Sequence, residues 1–196
     1  PLHSNEEMLS FSARQRERSD AKERIGAAAA ALVDDGEAII LDASTTSWHM
    51  ARHLLTHRDL TVLTNGLHVA IELLRGSGVD VLIPGGPVWR EAGAVVGPVS
   101  GPGPEGINIT KVFYSGRGFD LETGLSDPNR DEVLLKQALL RPGRELTVMV
   151  DASKFGKVAF ATVTELDRVK RVITDSDAPA EALDALRERG IEVIVV

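Results

Sequence analysis

Short apolar runs recur along the chain, separated by longer stretches in which apolar and polar residues mix. Seven runs predict β-strands, at 38–42, 60–64, 79–83, 111–115, 145–151, 171–174 and 191–196. Segments between several of them predict helices at 46–56, 66–76, 129–141 and 178–189. Strands that are apolar on both faces and alternate with helices indicate a parallel sheet covered on both sides. The pattern therefore predicts an α/β fold, a three-layer Rossmann-like domain with a mostly parallel sheet and helices on both faces.

Two segments depart from this alternation. Residues 1–18 are polar with balanced charges and predict an arm or linker, so we expect the globular domain to span 19–196. We expect its first helix to have Ser19 as N-cap and to end before Gly36. Residues 97–106 contain too much Pro and Gly for a helix or a central strand and predict a surface loop.

Composition narrows the classes of function. With 43% hydrophobic and 26% charged residues, this chain of 196 residues is an ordinary globular sequence. Its net charge of −7 argues against a broad basic surface for nucleic acid, whereas a small anionic ligand needs only one locally positive pocket. The absence of cysteine excludes disulfides and thiolate metal sites. No apolar run approaches the ~20 residues of a membrane helix, so we expect a cytoplasmic protein without a membrane partner.

Small, hydroxyl, amide and basic residues follow five consecutive predicted strands, at 42–46, 64–66, 84–90, 115–118 and 151–154. In open parallel sheets ligands collect at the carboxyl ends of the strands, so this grouping predicts a pocket. The sequence DASTT at 42–46 ends a strand and begins a helix, whose unpaired N–H groups and positive dipole end favour an anion. The alternative for this segment is that Thr45 or Thr46 only caps the helix.

Other candidate sites have simpler explanations. His49, His53 and His57 recur every four residues; two of them could hold zinc, but a solvent-facing stripe is the plainer account. Glu132 and Lys136 have the spacing of a routine helix salt bridge. The glycine-rich and nucleophile motifs of dinucleotide-binding, triphosphate-binding and hydrolase folds are missing. We therefore predict no metal and no cofactor.

Five motifs in a fixed order resemble one protein family. They are LDASTT, LTVLTNGLHVA, GGPVWR, the helix D-P-N-x-x-E-x-x-x-K and DASKFG. With Arg14, Lys22 and Ile25 in the lead-in, they resemble the C-terminal effector domain of DeoR-type transcriptional regulators over about residues 11–175. The resemblance implies a fold related to ribose-phosphate isomerase, glucosamine-phosphate deaminase and CoA-transferase-like domains, which senses a phosphorylated sugar or similar metabolite. It also implies an N-terminal helix-turn-helix domain that binds operator DNA and that residues 1–18 would join to the sensor.

The effector site is assigned by position. Residues 42 and 44–46 match the family's aspartate-x-glycine-threonine-threonine loop, with Ser44 where the family has glycine. The match also raises Lys136 from a surface ion pair to a pocket residue. The residues that we predict to bind the effector are Asp42, Ser44, Thr45, Thr46, Thr64, Asn65, Gly85, Gly86, Arg90, Gly116, Arg117, Lys136 and Lys154.

One departure from the family bears on catalysis. Many relatives have a glycine-alanine-aspartate-glycine run where this chain has Ser-Gly-Arg-Gly at 115–118. Related isomerases keep acidic residues there for proton transfer, so the fixed charge of Arg117 weakens the case for an enzyme and suits an anionic ligand. Asp120 lies nearby and could act as a base. A sugar-phosphate isomerase or deaminase is therefore the alternative, and a metal- or protein-binding module is a third.

These observations predict a ligand-sensing domain, with no catalytic residue, that binds a phosphorylated sugar. The domain would control the DNA binding of an N-terminal domain, as in a repressor of carbohydrate-metabolism genes. We expect a homodimer or homotetramer, because operators mirror the two-fold symmetry of the proteins that bind them.

Overall fold

A computed structural model describes residues 10–98, 106–140 and 144–196 of the chain. The helices in these ranges are α1 (Phe11–Arg16), α2 (Ser19–Ala30), α3 (Thr45–His53), α4 (Leu67–Leu73), α5 (Arg130–Leu139) and α6 (Ala180–Glu188). The strands are β1 (Ala38–Leu41), β2 (Leu60–Thr64), β3 (Val79–Leu82), β4 (Val88–Trp89), β5 (Ala94–Val95), β6 (Lys111–Tyr114), β7 (Gly118–Asp120), β8 (Gly124–Asp127), β9 (Glu145–Met149), β10 (Ala161–Thr164), β11 (Val169–Thr174) and β12 (Glu192–Val195). Residues 99–105 of the predicted loop and residue 141 of a predicted helix lie outside the described residues. None of the described helices has the length and apolar character needed to cross a membrane.

The main sheet has the order β12-β11-β9-β6-β1-β2-β3, and every neighbouring pair is parallel. The chain starts in the middle at β1, builds outward to β3, and then returns to the other side of β1 with β6. The strand order therefore reverses between β1 and β6. In open α/β sheets the crevice at such a reversal is where ligands bind. The predicted parallel α/β sheet is confirmed.

Helices cover both faces of this sheet, as predicted. β1 divides its side chains between two cores: Ile39 and Leu41 pack with α2, α3 and α4, whereas Ile40 packs on the opposite face. Met50 from α3 belongs to the first core and Leu186 from α6 to the second. Because both faces of the strand are buried, apolar residues occupy every position of β1, which is why its sequence lacks alternation.

Two smaller antiparallel sheets were not predicted. β7, β8 and β10 form a three-stranded sheet, and β4 pairs with β5 as a hairpin. These strands have only two to four residues, too few to show a periodic pattern. The three-stranded sheet packs on the turn after β6, where a Cβ at Gly116 would lie 2.6 Å from Leu125 Cδ1 and 2.8 Å from Ser126 O. Only glycine allows this close approach of the two backbones.

The segment that we predicted as an arm contains α1, which packs on the domain. Phe11 is buried, and its ring stacks on the ring of His68 with 4.0 Å between the centroids. The backbone N–H of Phe11 donates to Glu91 O at 3.1 Å. These contacts place α1 beside the β4–β5 hairpin.

The junction between α1 and α2 is held by ion pairs. We expected Ser19 to be the N-cap of α2, but the N-cap is Arg18, whose φ of 49° lies in the left-handed region. The Arg18 guanidinium contacts three carboxylates, those of Asp151 at 3.4 Å, Asp175 at 2.9 Å and Asp177 at 2.7 Å. These ion pairs hold Arg18 in its left-handed conformation at the start of α2, so the helix begins with Ser19 inside it and not with Ser19 as its cap.

Candidate effector-binding site

A cleft opens at the carboxyl ends of β1 and β6, where the strand order reverses. Its walls are formed by the start of α3, the residues after β6, the start of α5, the β4–β5 hairpin, α1 and the start of α2. The enclosed cavity measures about 40 Å³, which accommodates a few water molecules and is smaller than the roughly 300–1,000 Å³ of typical small-molecule sites.

The N-terminus of α3 presents unused hydrogen-bond donors to the cleft. Ser44 is the N-cap: its Oγ accepts from Ser47 N–H at 3.0 Å, and its own N–H donates to Asp42 Oδ1 at 3.1 Å. The alternative that Thr45 or Thr46 caps the helix is therefore wrong. Both threonines line the cleft, and within the described residues their hydroxyls and backbone N–H groups have no hydrogen-bond partner. Such a helix start suits an anion.

Asp42 lies behind this wall and ties the ends of β1 and β6 together. It is fully buried. Its Oδ1 accepts from Ser47 Oγ at 2.6 Å, and its Oδ2 accepts from Ser115 N–H at 2.8 Å and lies 2.8 Å from Lys136 Nζ. Burial alone would raise the pKa of Asp42, but the Lys136 ammonium and the hydrogen bonds from Ser44 and Ser47 outweigh it and lower the pKa. Asp42 is therefore a structural carboxylate at this junction.

Lys136 lines the cleft, but its charge is already compensated. It is 2% exposed. Its Nζ lies 2.6 Å from Asp127 Oδ2 and 2.8 Å from Asp42 Oδ2, and it donates to Ser115 O at 2.9 Å. These three contacts use the three N–H donors of an ammonium group. Burial would lower the pKa of Lys136. The neighbouring carboxylates outweigh this effect, with Asp127 contributing most, and raise the pKa well above its ordinary value.

Glu132 is a buried acid on the same wall with different surroundings. Within the described residues no hydrogen bond or ion pair reaches its carboxylate, so the routine salt bridge to Lys136 suggested by their spacing is wrong. Burial raises the pKa of Glu132 to about 7; Lys136 offsets part of this effect, and the charges of Asp127 and Asp42 add to it. At neutral pH the carboxyl group is partly protonated and can donate or accept a hydrogen bond.

Four further cationic side chains line the cleft: Arg14 from α1, Lys22 from α2, Arg117 and Lys154. Lys22 Nζ donates to the carbonyl oxygens of Arg14 and Glu17, each at 2.6 Å, and burial lowers its pKa to about 8. Burial also lowers the pKa of Lys154. Of the charged residues that line the cleft, five are cationic and three acidic, on a chain with a net charge of −7. The cleft is locally positive, which attracts anions.

Seven of the predicted site residues line the cleft: Ser44, Thr45, Thr46, Gly116, Arg117, Lys136 and Lys154. Thr64 and Asn65 instead fasten the β4–β5 hairpin and the start of α4. Thr64 Oγ1 accepts from Gly66 N–H at 3.0 Å, and Asn65 Nδ2 donates to Val95 O at 3.1 Å. They act on the cleft indirectly, because the hairpin places Trp89 in its wall.

The remaining predicted site residues, Gly85, Gly86 and Arg90, are exposed and do not line the cleft. Gly85 and Gly86 follow β3, the edge strand, which is separated from β1 by β2. Arg90 lies in the β4–β5 hairpin between Trp89 and Ala92, both of which line the cleft.

Sequence reasoning missed two cations of the cleft, Arg14 and Lys22. The family pattern contains both, but it placed them in the lead-in to the domain and not in a binding site. Arg14 reaches the cleft because α1 folds back over the carboxyl ends of the strands, and Lys22 reaches it from the first turn of α2. No local pattern reveals this, because it is a contact between segments distant in sequence.

The other candidate residues have structural roles. His49 Nδ1 and His53 Nε2 contact Glu23 at 2.6 Å and 2.9 Å, so this face of α3 binds α2, and the predicted solvent-facing stripe is wrong for His49, which is buried. No group of three metal-ligating side chains occurs in residues 10–98, 106–140 and 144–196. Asp120 accepts hydrogen bonds from backbone N–H groups of its own turn, and these lower its pKa, with Glu122 N–H contributing most. Asp120 does not line the cleft.

Solved structures of low sequence identity share the fold. The crystal structure of eIF2B delta from Chaetomium thermophilum matches with a TM-score of 0.51 and 18% identity, over 82% of this chain and 58% of that one. Ribose 5-phosphate isomerase from Plasmodium falciparum matches with a TM-score of 0.50 and 12% identity, over 68% of this chain and 52% of that one. The fold is therefore that of a Rossmann-like α/β domain.

Similar sequences belong to transcriptional regulators. The HTH-type transcriptional regulator YulB of Bacillus subtilis (strain 168) is 34% identical over 195 residues, 100% of this chain and 75% of the relative. The glycerol-3-phosphate regulon repressor of Escherichia coli (strain K12) is 26% identical over 180 residues, 92% of this chain and 71% of the relative. The family described as the DeoR C terminal sensor domain matches residues 17–176. The chain therefore belongs to the DeoR family of transcriptional regulators, as a sensor domain and not an enzyme, as its motifs predicted.

Proposed function

We propose that this sensor domain binds a small phosphorylated sugar, or a similar phosphorylated metabolite, in the cleft between the ends of β1 and β6. The observation that carries the proposal is the start of α3, where Thr45 and Thr46 present donors without partners in the described part of the chain. Arg14 and Lys154 add positive charge to the same cleft. A phosphate group supplies acceptors and negative charge for both features at once.

A relative's name supports the class of ligand. One similar protein is named the glycerol-3-phosphate regulon repressor, and its name contains a small phosphorylated metabolite. A ligand of this kind has a phosphate for the helix start and hydroxyl groups for hydrogen bonds. Glu132, buried on the same wall with a pKa of about 7, is a candidate partner for such a hydroxyl group.

We infer that the bound metabolite controls DNA binding by a helix-turn-helix domain on the N-terminal side of the sensor. The relative YulB carries the helix-turn-helix in its name, and this chain spans 75% of its length. The regulator would have one state that binds DNA and one that does not. An effector that binds one of these states more tightly shifts the equilibrium toward it, and operator affinity changes by the ratio of the two effector affinities. A homodimer or homotetramer would place two such domains on a two-fold operator, as expected for a repressor of carbohydrate-metabolism genes.

Thermal unfolding tests the ligand class. The chain is titrated with hexose, pentose and glycerol phosphates and, in parallel, with each parent sugar or polyol. At about a hundred times the Kd, a bound ligand stabilises the folded state by about 2.7 kcal/mol, which raises Tm by roughly 5–10 °C for a domain of this size. We expect phosphorylated members to raise Tm and their parents to leave it unchanged. Equal shifts from both members of every pair would contradict the proposal.

Matched variants locate the site. Thr45→Val and Thr46→Val keep the side-chain shape and remove one hydroxyl each. Both should weaken binding of whichever phosphate compound raises Tm, with the helix cap at Ser44 left intact. Thr61→Val, on β2 away from the cleft, serves as the control for loss of a threonine hydroxyl. Unchanged affinity in both cleft variants would place the ligand elsewhere.

A further inference from the structure

Arg14 is buried on α1 without a counter-charge in contact. The side chain is 9% exposed, and its Nε has no hydrogen-bond partner among the residues that the structure describes. Within the described residues no carboxylate lies within ion-pair distance of its guanidinium, although that group lines the cleft. Burial lowers the pKa of Arg14 to about 10; the nearby charge of Arg117 adds to this, and Glu132 opposes it from a distance. The Arg14 guanidinium carbon lies 5.7 Å from the centroid of the Phe11 ring on the same helix, a weak cation–π contact. A buried charge without a carboxylate in contact is costly, so the docked position of α1 carries an electrostatic penalty.

Few contacts hold α1 in this position against that penalty. The helix has six residues, too few to persist without tertiary contacts. Its main anchors are the Phe11 ring on His68 and the Phe11 N–H bond to Glu91 O. At the other end, Lys22 Nζ donates to the carbonyl oxygens of Arg14 and Glu17. The docking of α1 is therefore open to adjustment by any anion that compensates Arg14.

We propose that Arg14 is an effector-binding residue, and that the effector's anionic group holds α1 against the domain through it. This inference rests on the proposed function, because it requires an anion in the cleft. The occupied cleft supplies the charge and the acceptors that Arg14 lacks, so the docked position of α1 becomes stable. In the empty domain the same guanidinium favours release of α1 into water, where it is solvated.

The junction at Arg18 confines this change to the segment before α2. Arg18 is held by Asp151, Asp175 and Asp177, and α2 packs against α3 through its buried face. Residues 10–17 can therefore leave the cleft while α2 stays in place. Effector binding would thereby change the position of α1 relative to the rest of the domain.

Hydrogen exchange measures the docking of α1. Backbone amides of residues 13–16 are followed by mass spectrometry in the 196-residue chain, without ligand and with inorganic phosphate or the phosphate compound that raises Tm most. We expect the anion to slow exchange in α1 by about tenfold or more, and to change α6, which is remote from the cleft, far less.

Two variants separate this inference from the proposed function. Arg14→Met removes the charge and keeps a long side chain; it should protect α1 without any anion, abolish the anion-dependent change and weaken anion binding about tenfold or more. Lys154→Met is the matched control: it should weaken binding, yet leave α1 exchange in the empty chain as in the wild type. If the wild type binds the anion but Arg14→Met changes neither affinity nor α1 exchange, this inference alone is overturned. If no anion binds the wild type, the proposed function is overturned with it.

Discussion

Two groups of charged side chains meet in the same cleft, and they differ in how their charges are compensated. Asp42, Lys136 and Asp127 form one group, behind and along the wall at the ends of β1 and β6. Lys136 Nζ lies within 2.8 Å of both carboxylates, and the remaining oxygen of Asp42 accepts two further hydrogen bonds, from Ser44 and Ser47. This group is complete without a ligand.

The second group consists of Arg14, Lys22 and Lys154, which come from α1, α2 and the short turn after β9. No carboxylate of the described residues lies within ion-pair distance of these three charges. Lys22 has carbonyl partners, whereas Arg14 Nε has no hydrogen-bond partner in the described part of the chain. Burial lowers the pKa of all three, which is the signature of charges that the protein itself does not stabilise.

The comparison shows that burial alone does not identify a ligand-binding charge. Lys136 is the most deeply buried cation of the cleft, and family position singled it out as a pocket residue. Its partners make it part of the scaffold that joins β1, β6 and α5. The charges that remain unpaired belong to the segments at the edge of the domain. An anion would find its counter-charges there.

The largest expected effect is on folding, from Lys136→Met. This change leaves the buried carboxylates of Asp42 and Asp127 without their counter-charge, so we expect a loss of about 3–5 kcal/mol in the free energy of unfolding. Urea denaturation followed by circular dichroism measures it. Lys154→Met, the same substitution in the other group, is the control and should change stability by less than ~0.5 kcal/mol. Equal losses in both variants would remove the distinction between the two groups.

The next effect is on ligand affinity, from Lys154→Met. Loss of one charged contact to a phosphate should weaken binding by about 1.5–3 kcal/mol, roughly ten- to a hundredfold. Isothermal titration calorimetry with the phosphate compound that raises Tm most gives the affinity. Lys157→Met removes a neighbouring exposed charge that does not line the cleft, and should change affinity far less. Similar losses of affinity in Lys154→Met and Lys157→Met would indicate that the ligand responds to the overall positive charge and not to a specific contact with Lys154.

The smallest effect is a dependence of anion binding on pH. Burial raises the pKa of Glu132 to about 7, so acidification through neutral pH removes one negative charge from the cleft. We expect sulfate, whose own charge is constant in this range, to bind roughly fivefold more tightly at pH 6 than at pH 8, about 1 kcal/mol. Glu132→Gln should abolish the step near pH 7. Lys22, with a pKa of about 8, should still weaken binding above that pH in the variant.

The same shift predicts the sign of a stability change. The folded state raises the pKa of Glu132 from 4.5 to about 7, so it binds a proton that the unfolded state has lost. Folding stability from this group is therefore lost as pH rises between these two values. Glu132→Gln should flatten that part of the stability profile in urea titrations. If replacing Glu132 by Gln made the wild-type stability profile fall more steeply with pH, and not less, between pH 4.5 and about 7, the raised pKa of Glu132 would be wrong.

The strands of the main sheet were predictable because their cause is local. A strand buried on both faces needs a continuous apolar run, and each of the seven runs became a strand of that sheet. The end of a strand and the start of a helix at 42–46 were equally predictable because they are contiguous, although the cap is Ser44 and not Thr45 or Thr46. The short strands β4, β5, β7, β8 and β10 were missed, since their pairing depends on partners elsewhere in the chain.

The sequence by itself determined the fold class, the family and the set of strand ends that carry polar residues. It could not rank those ends, because their distances depend on the strand order, which only tertiary packing decides. That order brings the ends of β1, β6 and β9 together, whereas Gly85 and Gly86, which follow the edge strand β3, do not line the cleft. Tertiary structure also decided which charges are paired. Lys136 lies beside two carboxylates, whereas Arg14 enters the cleft from α1 and has no carboxylate of residues 10–98, 106–140 and 144–196 within ion-pair distance. Pairing is a contact between segments distant in sequence, and no periodicity along the chain encodes it.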